Sequence, residues 1–435
     1  MILAAMSLPD LRPAAISDRQ RLRSIIGGSV GNLVEWYDWY VYSAFALYFA
    51  KAFFPPASQT VQLLNAAAVF AVGFVMRPVG GWVMGRYADR HGRRAALTAS
   101  VTMMCAGSLM IAVTPAYATI GVTAPLLLVV ARMLQGVSVG GEYGASATYL
   151  SEMAGRARRG FWSSFQYVTL IMGQLLALGV LLVLQRVMTT DALERWGWRI
   201  PFVIGALCAV VALWMRRRLE ETVVFSERQA RARPTLGALL AHRRAVLTVI
   251  GMTAGGTVAF YTFTTYAQKF LVNSAGWRRA DATRVSAATL VLFMLVQPVV
   301  GLISDRIGRR PVLISFGILG TIGTVPLLSA LETARGFSAA FALLALALLV
   351  VSGYTSINAV VKAELFPTAI RALGVGFPYA IAVSLFGGTA EYLALWAKSI
   401  GHERWYYWYV TACAAASLAV YVAMPETGGT SALDA

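Results

Sequence analysis

Charge is what this sequence has least of. Its 435 residues include 37 Lys and Arg, 20 Asp and Glu and 3 His, so 13% of the chain is charged against 58% hydrophobic. A soluble protein of this length needs more charge to cover its surface. Cysteine is scarce too. Cys105, Cys208 and Cys413 each fall inside an apolar block, with no partner at disulfide or metal-ligand spacing, so each reads as a small packing residue. His91, His242 and His402 lie in or beside loops, without a nucleophile or metal partner at motif spacing. An enzyme therefore has little support, and no metal and no cofactor are expected. The longest loop, Arg216 to Arg244, is too short for a signalling domain, which argues against a metabolite sensor. The first 23 residues are too polar for a cleaved signal peptide and read as a cytoplasmic tail.

What the sequence has instead is long apolar blocks. A bilayer core about 30 Å thick takes about 20 apolar residues per helix. Twelve blocks of that size start near Ile25, Gln59, Ala95, Val122, Phe161, Trp198, Ala245, Thr283, Pro311, Phe337, Ala372 and Trp405. The expected fold is an all-α membrane protein of twelve transmembrane helices. The first and seventh blocks are the most polar, and polar residues inside a span mark pathways. The net charge of +17 could suggest nucleic acid, but the arginines cluster in alternate loops: Arg19/Arg21/Arg23, Arg86–Arg94, Arg156–Arg159, Arg216–Arg244 and Arg306–Arg310. That is the positive-inside pattern, with both termini cytoplasmic and anionic lipids as partners rather than nucleic acid. Lys51, Arg278 and Arg279, in the opposite loops, are exceptions.

The chain repeats itself. Gly85-Arg-Tyr-Ala-Asp89-Arg90-His-Gly92-Arg93-Arg94 matches Gly301-Leu-Ile-Ser-Asp305-Arg306-Ile-Gly308-Arg309-Arg310, half a chain later. A fainter echo joins Glu152–Arg159 to Glu364–Arg371. Two copies in the same orientation predict two pseudo-symmetric six-helix bundles, with a substrate held between them near the midplane. The boundaries read as a tail over 1–24, a first half over 25–217, a linker over 218–244, a second half over 245–424 and a tail over 425–435. In the repeated loop, Gly85 and Gly301 suit close helix approach. Asp89 and Asp305 suit a helix N-terminus or an arginine across the bundle interface. Either the loop arginines, Arg90, Arg93, Arg94, Arg306, Arg309 and Arg310, only anchor topology, or the whole motif is a cytoplasmic gate. The fixed offsets of Asp and Gly favour the gate.

These loops resemble the signature loop of the major facilitator superfamily, and Pro425-Glu426-Thr427-Gly428 resembles its closing motif. Gly31-Asn32-Leu33-Val34-Glu35-Trp36-Tyr37-Asp38, Met76-Arg77-Pro78-Val79-Gly80-Gly81, Ala131-Arg132-Met133-Leu134-Gln135-Gly136 and Gly140-Gly141-Glu142-Tyr143-Gly144 are similar to the metabolite–proton symporter family. Longer runs resemble the members of that family that carry α-ketoglutarate: Ser164–Ile171, Gly173–Leu178, Phe260–Tyr266 and Arg371–Gly376. The resemblance implies a proton-coupled importer of a dicarboxylate, free of cofactors and driven by the proton gradient across a bacterial inner membrane; a monomer is expected. Citrate, shikimate or another organic anion is the alternative cargo. Proline or betaine is less favoured, because the long C-terminal coiled coil of osmosensing members is not seen after Pro425.

Charges inside spans are expensive and point to function. Asp38 lies ~20 Å into helix 1 and Arg132 ~15 Å into helix 4 from the opposite side, at 1.5 Å per residue. In the superfamily these helices are neighbours, so an Asp38–Arg132 pair is feasible. It is either a static bridge or a coupling device, in which Asp38 takes a proton once Arg132 is drawn away. Glu35, three residues before Asp38, shares its face of the helix. It either shares the proton or pairs with a basic residue. Glu142 reads as a partner of a loop arginine or as a further coupling group. Arg77, followed by Pro78, Gly80 and Gly81, suits bidentate binding of a carboxylate, with room beside its guanidinium, or else is a structural partner of Glu35, Asp38 or Glu142. A second clamp comes from Arg132 or Lys362, although Lys362 and Lys269 lie near span ends and read as snorkelling. Tyr40, Gln166, Tyr167, Gln174 and Tyr266 supply hydroxyls and amides that orient an anion without adding charge. Trp405, Tyr406, Tyr407 and Trp408 read as an interfacial belt. Gly255–Gly256, Gly387–Gly388 and the polar run of helix 7 are expected bends.

Overall fold

In a bilayer every backbone N–H and C=O needs a partner from the protein, and a helix supplies one locally. The computed structural model describes residues 18–91, 93–140, 142–153, 156–217 and 236–428, with side chains from 33 onward apart from stretches within 88–97, 141–156 and 212–236. Among them the regular structure is helical throughout. The first half comprises α1 (Asp18–Phe53), α2 (Gln59–His91), α3 (Arg93–Val113), α4 (Thr123–Gly140 and Glu142–Met153), α5 (Arg159–Val187) and α6 (Ile200–Arg217). The second comprises α7 (Arg243–Tyr261, a π turn at Thr262–Tyr266, then Ala267–Asn273), α8 (Arg279–Ile307), α9 (Arg309–Thr333), α10 (Phe337–Thr355 and Asn358–Glu364), α11 (Arg371–Ala382, a π turn at Val383–Gly387, then Ala390–Ser399) and α12 (Arg404–Ala423). Nine of the described helices are long and apolar enough to cross a membrane, and the shorter apolar helices Thr98–Val113 and Gly197–Val211 belong to α3 and α6. At 36 residues α1 is long enough as well, but Glu35, Asp38 and its hydroxylated aromatics dilute its hydropathy.

Packing repeats as the sequence does. α1 lies on α5, α2 on α4 and α3 on α6; α7 lies on α11, α8 on α10 and α9 on α12. The halves meet where α5 packs on α8 and α2 on α11. Small residues set the closest approach. A Cβ on Gly136 would stand 2.1 Å from the carbonyl oxygen of Gly73, and one on Gly80 2.2 Å from that of Val137, so α2 and α4 touch backbone to backbone. Gly80 is thus filled by α4 and leaves no room for Arg77, contrary to the expectation. The Gly255–Gly256 bend is not seen either. Both glycines sit in regular helix, packed on Cys413 and on the Tyr354 ring, while α7 does deform at its polar run, as expected.

On the side of the basic loops the second copy of the repeated motif is locked. Asp305 accepts from the backbone N–H of Gly160 at 2.7 Å and of Phe161 at 2.9 Å, the first turn of α5 in the other half, and Arg309 donates to it at 2.8 Å. Backbone N–H groups and helix dipole both favour an anion there. Gly301 lets this happen, because its neighbour is the Gly160 backbone. Glu426 of the closing motif caps α9 through the N–H groups of Arg309 and Arg310, both at 2.9 Å. Partial burial tends to raise its carboxyl, but the N–H groups of Gly428, Arg309 and Arg310 outweigh that and hold it below the ordinary range. Thr427 donates to Glu364 at 2.6 Å, which Arg309 approaches at 3.8 Å. The first copy is different. Gly85 faces open space and Arg90 is exposed, while Gly92 and the side chains of Asp89, Arg93 and Arg94 lie outside the described residues.

The opposite side is also shut. Glu194 accepts from Lys51 at 3.1 Å and from Arg279 of the other half at 2.5 Å, and Gln185 donates to Thr283 at 3.1 Å. Half-burial raises the Glu194 carboxyl, yet Arg279 and Lys51 together bring it below the ordinary range. Two exceptions to the charge pattern, Lys51 and Arg279, therefore have a shared purpose. With contacts on both sides, the halves enclose the interior. Because α2 and α4 touch at Gly136 while Gly85 touches nothing, Gly136→Ala is expected to cost about 1–3 kcal/mol and lower the melting temperature in detergent. Gly85→Ala is expected to leave it unchanged.

Candidate functional site

The aromatic run of α1 turns Trp39 into the first half, and two arginines converge on it. The guanidinium carbons of Arg77 and Arg132 each lie 4.1 Å from the centre of a Trp39 ring, and Arg77 also lies 4.2 Å from the Phe74 ring. Cation–π contact of this kind is favourable when water is excluded, as it is here with Arg77 3% and Arg132 0% exposed. It satisfies charge but not hydrogen bonds. Nε and Nη2 of both arginines find no hydrogen-bond partner among the described residues. Five donors make such a group incomplete without an acceptor. Phe74, on which Arg77 lies, packs edge-on to Tyr261 of α7 at 5.2 Å, so Arg77 stands at the seam between the halves.

Asp38 and Arg132 come together, but not as a direct pair. Gln135 stands between them: its Oε1 accepts from Arg132 Nη1 at 2.7 Å and its Nε2 donates to Asp38 Oδ2 at 2.9 Å. Ser108 of α3 donates to the other carboxylate oxygen. An amide carries both a donor and an acceptor, so it joins two ions that do not touch. Gly205 of α6 completes the enclosure, since a Cβ there would fall 2.4 Å from Asp38 Oδ1. Asp38 thus faces the inside of the first bundle, towards α3, α4 and α6. Glu35 is buried one turn away, and the Glu142 side chain lies outside the described residues. Gln135 and Ser108 escaped the sequence reading. Gln135 is three residues after Arg132, on the same helix face, and that spacing was the available signal.

Neither lysine of the second half snorkels. Lys269 is fully buried, 2.9 Å from Glu391 of α11 and 2.5 Å from Ser43 of α1. Glu391, unmarked in the sequence, sits in the polar second piece of α11. Lys362 is also fully buried, where α10 breaks between Thr355 and Asn358. It donates to Asn358 at 2.8 Å and lies 3.9 Å from the centre of the Tyr379 ring. No described carboxylate lies within ion-pair distance of it. Tyr143 of α4 stacks on Tyr379 at 3.7 Å and donates to Asn358 at 3.1 Å, so the surroundings of Lys362 belong to both halves. The wall position is fixed by helix geometry: a span end is near, but the side chain points inward.

The remaining candidates are all buried. Gln166 and Tyr167 are on α5, with Tyr167 edge-on to Phe260 at 5.5 Å. Tyr40 and Gln174 border a void of about 10 Å³ together with Ser43, Thr264, Thr265 and Gln268. The Tyr40 hydroxyl and the Gln174 amide oxygen have no hydrogen-bond partner among the described residues. Such a void holds about one water, not an organic anion, so the interior around Tyr40 and Gln174 is contracted. Tyr266 packs on Phe270 and Tyr406. Tyr406 and Tyr407 are themselves buried, with Tyr406 on the Thr262 hydroxyl at 2.6 Å, so only Trp405 and Trp408, 55% and 62% exposed, suit the interfacial belt.

Comparison with known proteins follows the same lines. The family described as "Sugar (and other) transporter" matches residues 25–238 and again 226–433, once per half. The chain is 54% identical over 419 residues to the alpha-ketoglutarate permease of Escherichia coli (strain K12), covering 96% of this chain and 97% of that protein. It is 34% identical to the citrate-proton symporter of Klebsiella pneumoniae, covering 89% and 87%. Among solved structures, the xylose transporter XylE from E. coli in an inward open conformation superposes with a TM-score of 0.73 at 20% identity, covering 95% of this chain and 98% of that one. That similarity speaks for the fold alone.

The Lys269–Glu391 pair makes a stability prediction. Lys269→Met leaves Glu391 buried without its cation and is expected to cost about 3–5 kcal/mol, read as a lower melting temperature of the purified protein. Adding Glu391→Leu is expected to recover most of the loss.

Proposed function

The chain belongs to the sugar (and other) transporter family of the major facilitator superfamily, and from that premise we propose that it imports α-ketoglutarate, or a closely related dicarboxylate, together with protons by alternating access. It is a multi-pass membrane transporter and not an enzyme. One observation carries the choice of cargo: Arg77 is buried at the seam of the halves with two guanidinium nitrogens unpartnered among the described residues. A carboxylate is the group whose two oxygens match that fork. We take the basic loops to face the cytoplasm of a bacterial inner membrane, with both termini there. The carrier works as a monomer and needs no cofactor beyond the proton gradient. The repeated loops act as the gate on that side.

Coupling follows from the Asp38–Gln135–Arg132 chain. With Arg132 held by Gln135, Asp38 keeps its negative charge among its donors. A substrate seated on Arg77, which shares the Trp39 ring with Arg132, shifts Arg132 and its amide partner and leaves Asp38 with fewer donors in a dry site. A carboxylate so placed takes up a proton. Opening to the other side returns Arg132 and releases the proton. The support for this reading is the single amide through which the two ions are joined, since it lets one movement change both. Glu35 and Glu142 are further carboxylates on the same helices.

Uptake of labelled α-ketoglutarate into proteoliposomes tests the proposal. Accumulation is expected with an imposed inward proton gradient and not without one. Asp38→Asn is expected to abolish accumulation while keeping exchange of α-ketoglutarate across the membrane. Uptake indifferent to the gradient would remove the symport, and uphill accumulation by Asp38→Asn would remove Asp38 as the coupling group.

A further inference from the structure

The interior holds two lysines of one chemical type in two different situations. Lys269 of α7 has a carboxylate, Glu391, at 2.9 Å and a hydroxyl, Ser43, at 2.5 Å. Lys362 of α10 has an amide oxygen at 2.8 Å, a tyrosine hydroxyl at 3.5 Å and the Tyr379 ring at 3.9 Å, and no described carboxylate. Both are 0% exposed. An ion buried without its counter-charge is costly. Fold stability does not explain keeping such a group, because an apolar side chain would fill the same space more favourably. A visiting anion does explain it.

Geometry narrows which anion. Arg77 and Lys362 stand on opposite halves, and α11, whose Tyr379 ring lies under Lys362, packs on α2 close to Arg77, where Ser384 donates to the Phe74 carbonyl at 2.5 Å. The two cations thus lie on either side of the contact between α2 and α11. Arg132, the other unsaturated cation, is tied through Gln135 to Asp38. We propose that Lys362, in its cage of Tyr143, Asn358 and Tyr379, binds the second carboxylate of the substrate and sets the preference for dicarboxylates over monocarboxylates. This rests on the reading of Arg77 as the anchor of the first carboxylate. Tyr143 comes from the first half and Lys362 from the second, so a dianion spanning Arg77 and Lys362 also ties the halves together. The break in α10 between Thr355 and Asn358 places the cage where transporter helices commonly unwind beside a substrate.

The test is equilibrium binding to the purified full-length protein of α-ketoglutarate and of 2-oxopentanoate, which has the same carbon chain without the second carboxylate. The wild type is expected to prefer α-ketoglutarate by about 10- to 100-fold, the range of a charge-assisted hydrogen bond. Lys362→Met is expected to bring the two affinities together by weakening α-ketoglutarate, and Lys362→Arg to keep the preference. Melting of the empty protein gives an independent reading. Lys362→Met orphans no carboxylate, so its melting temperature is expected to equal or exceed that of the wild type. A wild-type preference retained in Lys362→Met overturns the proposal. So does a marked fall in its melting temperature, which would make Lys362 a structural group. A wild type that binds neither compound defeats the proposed function itself, and this assignment with it.

Discussion

An ion inside a bilayer-spanning helix needs a partner, and the rest of this structure depends on how that need is met. Some buried charges are answered by an opposite charge within the chain: Lys269 by Glu391, and Arg309 by Asp305. Asp38 is answered through neutral donors, Ser108 and Gln135. Arg77 and Lys362 are answered only in part, by aromatic rings, hydroxyls and an amide. The first group holds the architecture. The last group lies on the two faces of the seam between halves and is the proposed seat of an anion.

The closed interior follows from contacts that differ on the two sides. On the basic side a carboxylate caps a helix of the opposite half, and two glycines bring the backbones together. On the other side an exposed-end network of Lys51, Glu194 and Arg279 does the joining. Helix capping is directional and short-ranged, whereas ion pairs near water are screened and weaker. The two closures therefore differ in strength. The copies of the repeated loop differ too, since Gly301 is in backbone contact and Gly85 is not. Rocking of one half on the other has an asymmetric starting point.

Much of this was legible in the chain. Block length and loop arginines gave the twelve helices, and the Gly85 and Gly301 loops gave the two bundles, because bilayer thickness and pseudo-symmetry act on sequence directly. Asp38, Arg77 and Arg132 stood out because charge within a span is rare. What was illegible depends on side-chain direction across helices. Gln135 as the link between Asp38 and Arg132, Glu391 as the partner of Lys269, and the inward turn of Lys362 all require knowing which faces meet. Gly80 and Gly255 misled for a related reason. A glycine in a span makes either space or contact, and only the neighbouring helix decides which.

A structure with α-ketoglutarate bound tests the central claim most directly, namely that the incompletely partnered cations form the substrate seat. One carboxylate is predicted within hydrogen-bond distance, about 3 Å, of Arg77 and the other within the same distance of Lys362, with Lys269 still on Glu391. A carboxylate on Lys269 in place of Glu391, with Arg77 and Lys362 untouched, would contradict the account.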